Sequence, residues 1–362
     1  MSKTLKAGIC YILALLSFVM VRILSCYGIF SSFTGFIGDL KLTFIIQVVC
    51  LIAIPLSFYK LINKSSIVND FKDFGFVKIS KNTTFLCIIL GIIAYILNIC
   101  VSTFWSFLLV LLGFAPQSAG VSVPYTNVLD LIVSLISTAV LPAFCEEFLH
   151  RGMTQCLIKE EKSYVFSVVL TSILFGLFHL NIYQTGYAAF LGLLMGFLAV
   201  FSGSIYPAII IHFMNNAINV LVNYFYDTAP IFKTMFEYFD KFLTNLQGAN
   251  LLILIVVFTL FILVLCYFVY RIFIKVIKNE KLKDVDFSSK DIALAVLYFN
   301  EKEKLSLKDT NLLNQVNQIQ LLLKQTYPKN QKKLEFKDYI MLINAVFMST
   351  LITIFTLVWG IL

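Results

Sequence analysis

Charge is what this sequence has least of. Only 13% of its 362 residues are Asp, Glu, Lys or Arg, while 59% are hydrophobic and the mean hydropathy is +0.89. A chain so poor in charge cannot clothe soluble domains, and the composition is that of a polytopic helical membrane protein. Close cysteine pairs are missing as well. Cys10, Cys26, Cys50, Cys87, Cys100, Cys145, Cys156 and Cys266 all fall in apolar stretches with no CxxC spacing. That pattern excludes a cysteine zinc site and reads as small buried hydrophobes. No small-residue cleavage site follows Lys3, Lys6 and the first apolar run, which is therefore expected to stay as the first span. Histidine is confined to His150, His179 and His212, all in apolar segments.

What is present is length of apolar run. Nine segments are expected to be spans, about 7–31, 43–59, 84–113, 127–157, 163–181, 186–203, 205–225, 250–272 and 339–362, giving an all-α transmembrane bundle. The second, fifth and sixth are the short ones. The net charge of +8 does not indicate nucleic acid, because the cations follow topology instead. With the N-terminus inside, the inner loops receive Lys3, Lys6, Lys60, Lys64, Lys72, Lys78, Lys81, Lys159, Lys162 and the whole run from Arg271 to Lys337. The outer side receives only Lys41, Lys233 and Lys241, and Arg22 and Arg151 lie within spans. Enrichment of Lys and Arg in cytoplasmic loops then places the N-terminus in the cytoplasm and the C-terminus outside. A multi-pass protein of the cell membrane is expected, and the lysine-rich inner loops suit a bacterial one.

The chain divides into N-terminal spans (1–125), a motif-bearing core of four adjacent helices (126–225), an outer loop and span (226–273), a polar segment (274–338) and a last span (339–362). In the polar segment Ser288-Ser289 is placed to cap a helix through Ala293, Val296 and Leu297, and Leu312, Val316, Ile319 and Leu323 recur at helical spacing. A solvated cytoplasmic hairpin that attracts anionic lipid is the expectation there. Gly186, Gly192 and Gly196 in the sixth span are small residues where helices approach in lipid. Pro142 frees a backbone carbonyl and is expected to kink the fourth span.

That fourth span carries the most expensive residues of the chain. Glu146, Glu147 and Arg151 lie within six positions of an apolar run, at a cost of ~2.5–3.5 kcal/mol for each charge at a helix centre. Glu147 and Arg151 are four apart on one face, in the favourable order for pairing. Glu146 is turned about 100° away from that pair and left for chemistry. His150 shares the face of Glu146, either orienting it or as an incidental neighbour. His179 ends Phe175-Gly176-Leu177-Phe178-His179, and His212 and Asn216 share a face that Asn219 continues. A carboxylate with an imidazole can activate water, and a second imidazole with an amide can donate to an oxyanion. Equally, Glu146, His179 and His212 are legitimate zinc ligands, with the water then metal-bound. Straight-helix counting sets His179 ~25 Å from the inner edge and His212 only ~10–12 Å from it, so tilt, a kink or a longer fifth helix must bring them level.

Glu146-Glu147-x-x-x-Arg151, Phe175-x-x-x-His179 and His212-x-x-x-Asn216, in this order across about residues 125–225, resemble the three motifs of the CAAX protease and bacteriocin-processing family, also called Abi. Its members are intramembrane endopeptidases and include the Ras-converting CAAX endopeptidase of eukaryotes. The resemblance implies Glu146 as the base that activates water, His179 assisting it, His212 and Asn216 as the oxyanion hole, and Glu147 and Arg151 as supports. It implies a peptide or protein substrate at the membrane, in CAAX-type processing, bacteriocin maturation or self-immunity. The family has been described both as zinc-dependent and as glutamate-type; the absence of a compact H-E-x-x-H favours the latter and no required cofactor. Two other classes compete: a non-catalytic scaffold or immunity protein, and a proton-coupled transporter, which would show internal repeats with broken helices. No convincing repeat is present.

Overall fold

The structure, a computed structural model, describes residues 1–63, 66–114, 123–245, 247–282, 287–297, 310–325 and 336–359. Lys64, Lys283 and the lysine-bearing stretches 298–309 and 326–335 of the sequence argument lie outside the described residues. Among the described residues every regular element is a helix: α1 Lys3–Cys26, α2 Gly35–Asn63, α3 Ile67–Asp73, α4 Lys81–Leu111, α5 Val128–Lys159, α6 Tyr164–Phe178, α7 Ile182–Ser202, α8 Tyr206–Thr228, α9 Pro230–Thr244, α10 Gly248–Lys281, α11 Ser289–Leu297, α12 Thr310–Gln325 and α13 Phe336–Trp359. The starts are written locally. Ser2, Ser80, Ser163 and Asn181 each accept a hydrogen bond from a backbone N–H of the first turn that would otherwise be unpaired. Asn127 and Asp130 form a reciprocal capping box at α5. Gly203, at φ +70°, ends α7 in the left-handed conformation that glycine adopts most easily.

Among the described residues eight helices are long and apolar enough to cross a membrane, against the nine spans expected. The difference is the fifth segment, which is α6 and has 15 residues. That is ~22 Å of helix, short of the ~30 Å hydrocarbon core of a bilayer. Its last residues, Leu174 to Phe178, are all buried and α7 runs closely alongside it, while Val165, Phe166, Val169 and Ile173 leave one side of the helix exposed.

Contacts between helix ends sort the bundle into two faces. On one, Lys3 pairs with Glu160 and Lys6 with Asn63, Ser2 Oγ donates to Asp338 at 2.6 Å, and Ser80 Oγ donates to Glu280 at 2.9 Å. On the other, Trp105 Nε1 donates to the Ile182 carbonyl at 2.8 Å, Tyr125 N to Asp227 at 3.0 Å, and Thr356 Oγ1 to the Leu180 carbonyl at 2.8 Å. The eight membrane-length helices connect one face to the other, and the short α6 together with its flanking residues, from Lys162 beside Tyr339 to Leu180 beside Thr356, runs between the same two faces.

The polar segment after α10 differs from a solvated hairpin. Ser288 caps α11, accepting from Asp291 N at 3.2 Å. Val316, Ile319 and Leu323 of α12 are fully buried in one cluster with Phe287, Ile292 and Ala295, and this cluster continues into Tyr164, Val168, Val200, Phe201, Ile274 and Ile277 of the bundle. The helical spacing seen in the sequence therefore marks a docked face. The cysteines also divide: Cys10, Cys50, Cys87 and Cys145 are buried, whereas Cys26 and Cys266 are exposed on the protein surface. Apolar surroundings in a membrane sequence mean lipid-facing as often as buried, which is why the uniform reading fails for those two.

Small residues do set the helix spacing. A Cβ on Gly192 would meet Arg151 Nη2 at 3.1 Å and Ser172 Cα at 3.2 Å, and one on Gly196 would meet Gln155 Oε1 and Val168 Cγ1 at 2.9 Å. Gly176 of α6 is pressed against the backbone of the neighbouring helix, where a Cβ would lie 2.4 Å from the Thr185 carbonyl oxygen of α7. Gly176→Ala is expected to force the two helices apart at a cost of ~1–3 kcal/mol, read as a lower melting temperature in detergent. An unchanged melting temperature would mean that α6 and α7 are looser than this contact requires.

Candidate active site

The site begins with a proline. Pro142 has no N–H, so the Thr138 carbonyl one turn earlier in α5 loses its usual helical donor. Asn216 of α8 supplies one, donating from Nδ2 at 2.9 Å, and Asn215 Nδ2 donates to Asn216 Oδ1 at 3.1 Å. The amide of Asn216 is thus oriented at both ends and keeps a second N–H to offer. On either side of Leu141–Glu147, α5 widens into π-helical turns, over Leu135–Val140 and Phe148–Gln155. Such widenings rotate the side chains that follow and are frequent at functional sites.

The two adjacent glutamates part company. Glu147 is fully buried, and its Oε1 accepts from Arg151 Nη1 at 2.8 Å and from His212 Nδ1 at 2.9 Å. Arg151, also fully buried, donates from Nη2 to the Gly192 carbonyl at 3.1 Å and lays its guanidinium 4.4 Å from the centre of the Phe175 ring. One carboxylate therefore joins α5 to α8, and its arginine joins α5 to α7. Glu146 turns the other way, half-buried, and its Oε1 accepts from Gln47 Nε2 of α2 at 2.8 Å.

Both cavity histidines are held through Nδ1. A carbonyl or a carboxylate can only accept, so His179 Nδ1–H donates to Phe175 O at 3.0 Å and His212 Nδ1–H to Glu147. Each therefore presents Nε2. Phe175 contacts both, its ring standing edge-on to His179 at 5.2 Å and to His212 at 5.6 Å. The chain turns sharply just after His179 at Leu180, whose φ of +53° is costly for a residue with a Cβ. Thr356 holds the Leu180 carbonyl in that turn.

His150 is outside this arrangement. It is fully buried, donates from Nδ1 to the backbone carbonyl of Glu146 at 2.8 Å, and sits among the rings of Tyr11, Phe175 and Phe178. Its Nδ1 is engaged by the Glu146 backbone carbonyl, and the side chain recorded on the Glu146 carboxylate is Gln47.

Glu146, His179, His212 and Asn216, from three motifs on α5, the end of α6 and α8, line a single cavity of about 740 Å³. Asn219 lines it too, as do residues that the motifs do not contain: Arg22 of α1, Gln47 of α2, and Tyr95 and Asn98 of α4. Residues 128–218 match the family described as type II CAAX prenyl endopeptidase Rce1-like. The match is to that segment. It opens with the first residue of α5, closes two residues after Asn216, and covers about a quarter of the chain. No curated protein and no solved structure matches the chain.

The side chains of the matched segment do not fit the zinc alternative. Among the described residues no three His, Cys, Asp or Glu side chains gather as a metal-holding group. Nδ1-anchored imidazoles do suit metal ligation, but Glu146, His179 and His212 do not converge as one ligand set, and no step is derived through zinc. Gln47, Arg22, Tyr95 and Asn98 are not read as site residues from the sequence. A lone Gln in the apolar run 43–59 is the one signal that could have drawn attention to α2.

Proposed function

We propose that the chain is an intramembrane endopeptidase of glutamate type, acting on a peptide or protein held at the membrane. The observation that carries this reading is the convergence of a carboxylate, two Nδ1-anchored imidazoles and an oriented amide on one cavity within membrane-length helices. The Rce1-like match over the same residues supports it.

In this mechanism Glu146, its Oε1 held by Gln47, takes a proton from water with Oε2 while the hydroxyl oxygen adds to the scissile carbonyl carbon. His179 Nε2 accepts a hydrogen bond from the same water and fixes its direction of approach. The negative charge that develops on the carbonyl oxygen is met by the remaining N–H of Asn216 and by Nε2–H of His212 in its protonated form, with Glu147 as the counter-charge behind it. Collapse of the tetrahedral intermediate breaks the C–N bond, and Glu146 returns its proton to the leaving amine. Glu147 and Arg151 touch no reacting atom; they position His212 and hold α5 against α7 and α8.

Asn216→Ala removes one oxyanion donor. It is expected to lower kcat by ~10²–10³ with a much smaller change in KM, measured as initial rates on a cleavable quenched peptide in detergent. An equal loss of binding and turnover would make Asn216 a ground-state contact and remove it from the oxyanion hole.

A further inference from the structure

We infer that the cavity opens on the non-cytoplasmic face of the membrane, so that its substrate is an exported peptide or an extracytoplasmic juxtamembrane segment. The substrate half of this inference rests on the peptidase reading above; the orientation half does not.

The first observation is where the cavity lies along its helices. It reaches the far end of α1 at Arg22, the first turn of α7 at Gln184, the turn after α6 at His179, and the C-terminal half of α4 at Ser102 and Thr103. These are the helix ends that join at Trp105–Ile182 and Tyr125–Asp227. Its floor, at Glu146, His212 and Leu191, is deep in the bundle. The second observation is charge. The opposite face gathers Lys3 beside Glu160 and Lys6 beside Asn63, together with Lys60 at the end of α2 and Lys81 at the start of α4. On the cavity's face the lysines and arginines of the described residues are Arg22, which lines the cavity itself, Lys41, Lys233 and Lys241. Cytoplasmic loops are the ones enriched in Lys and Arg, so the mouth faces away from the cytoplasm.

A third feature fits the same side. The helix α9 follows the end of α8 and exposes Ile231, Met235, Phe239 and Phe242 along one side, with Lys233, Glu237 and Lys241 on the other. A helix of this pattern lies in the plane of the headgroups, beside the rim to which Asn219 belongs. A peptide partitioned into the outer interface would reach the cavity from there, whereas a lipid-modified tail on a cytoplasmic protein would meet the closed, lysine-rich end.

The native thiol of Cys26, exposed at the cavity-side end of α1, reports the orientation without reference to catalysis. Cells expressing the full chain are treated with a membrane-impermeant maleimide, intact or permeabilised. We expect labelling in intact cells as strong as after permeabilisation, lost in Cys26→Ser. Tyr27→Cys on the Cys26→Ser background, at a residue 83% exposed, should restore it, and Lys162→Cys should label only after permeabilisation. Labelling at 26 and 27 only after permeabilisation overturns the inference. In sealed right-side-out vesicles, a charged quenched peptide that cannot cross the bilayer should be cut when added outside; cutting only of peptide sealed inside also overturns it. Outside labelling with no hydrolysis, even in detergent, upholds the orientation and rejects the peptidase reading instead.

Discussion

Glu147→Ala is expected to destabilise the fold by ~3–5 kcal/mol, the largest stability effect of any single substitution in the site. It strands the fully buried guanidinium of Arg151 and takes from His212 the acceptor of its Nδ1–H. Arg151→Ala should cost a similar amount, since it strands Glu147 and also removes the contact to the Gly192 carbonyl and the stacking over Phe175. Replacing both, as Glu147→Leu with Arg151→Met, should restore most of the stability, because an apolar pair of similar volume needs no desolvation. It should not restore activity, since His212 loses its anchor. Melting temperatures in one detergent, set beside initial rates, separate these effects. A double variant as unstable as either single one would show that the pair contributes more than charge compensation.

Glu146→Gln should do the reverse. The side chain is half-buried, faces the cavity, and its carboxylate contact in the protein is Gln47. The amide keeps size and shape and loses only the ability to take a proton. A drop in kcat of ~10²–10⁴, the ordinary contribution of a general base, is expected with a melting temperature close to wild type. Two neighbouring glutamates would then be told apart by experiment: one whose loss stops the reaction and leaves the fold, and one whose loss breaks the fold. If Glu146→Gln lowered stability as much as Glu147→Ala does, the division of labour between them would be wrong.

That division is legible in the sequence because it is a property of one helix. Four-residue spacing sets Glu147 against Arg151 whatever surrounds them, and the 100° step per residue points Glu146 elsewhere. The helical character of the bundle and most of its apolar segments follow from hydropathy in the same way. What the sequence does not carry is anything that depends on how helices lie beside each other. That Glu147 also holds His212 requires α8 to pack across α5, and that Gln47 meets Glu146 requires α2 to do so from the other side. The sequence leaves His150 open for a related reason: sharing a helix face with Glu146 fixes direction and not partner, and the ring pairs with the backbone carbonyl of Glu146. The short α6 is read as a span because composition measures apolarity, which does not fix where a helix begins and ends, and its helix has 15 residues. Pro142 illustrates both levels. Its missing N–H is visible in the sequence, but that the orphaned Thr138 carbonyl would be taken up by Asn216 is visible only in three dimensions.

The most direct test of the central claim is a cleavage assay of the purified protein on a library of quenched fluorescent peptides, run for wild type, Glu146→Gln and His179→Ala, each with and without a chelator. The account predicts hydrolysis by wild type that survives chelation and is lost from both variants. Hydrolysis persisting in Glu146→Gln and His179→Ala would contradict the site itself, and hydrolysis lost on chelation and restored by zinc would contradict the glutamate mechanism assigned to it.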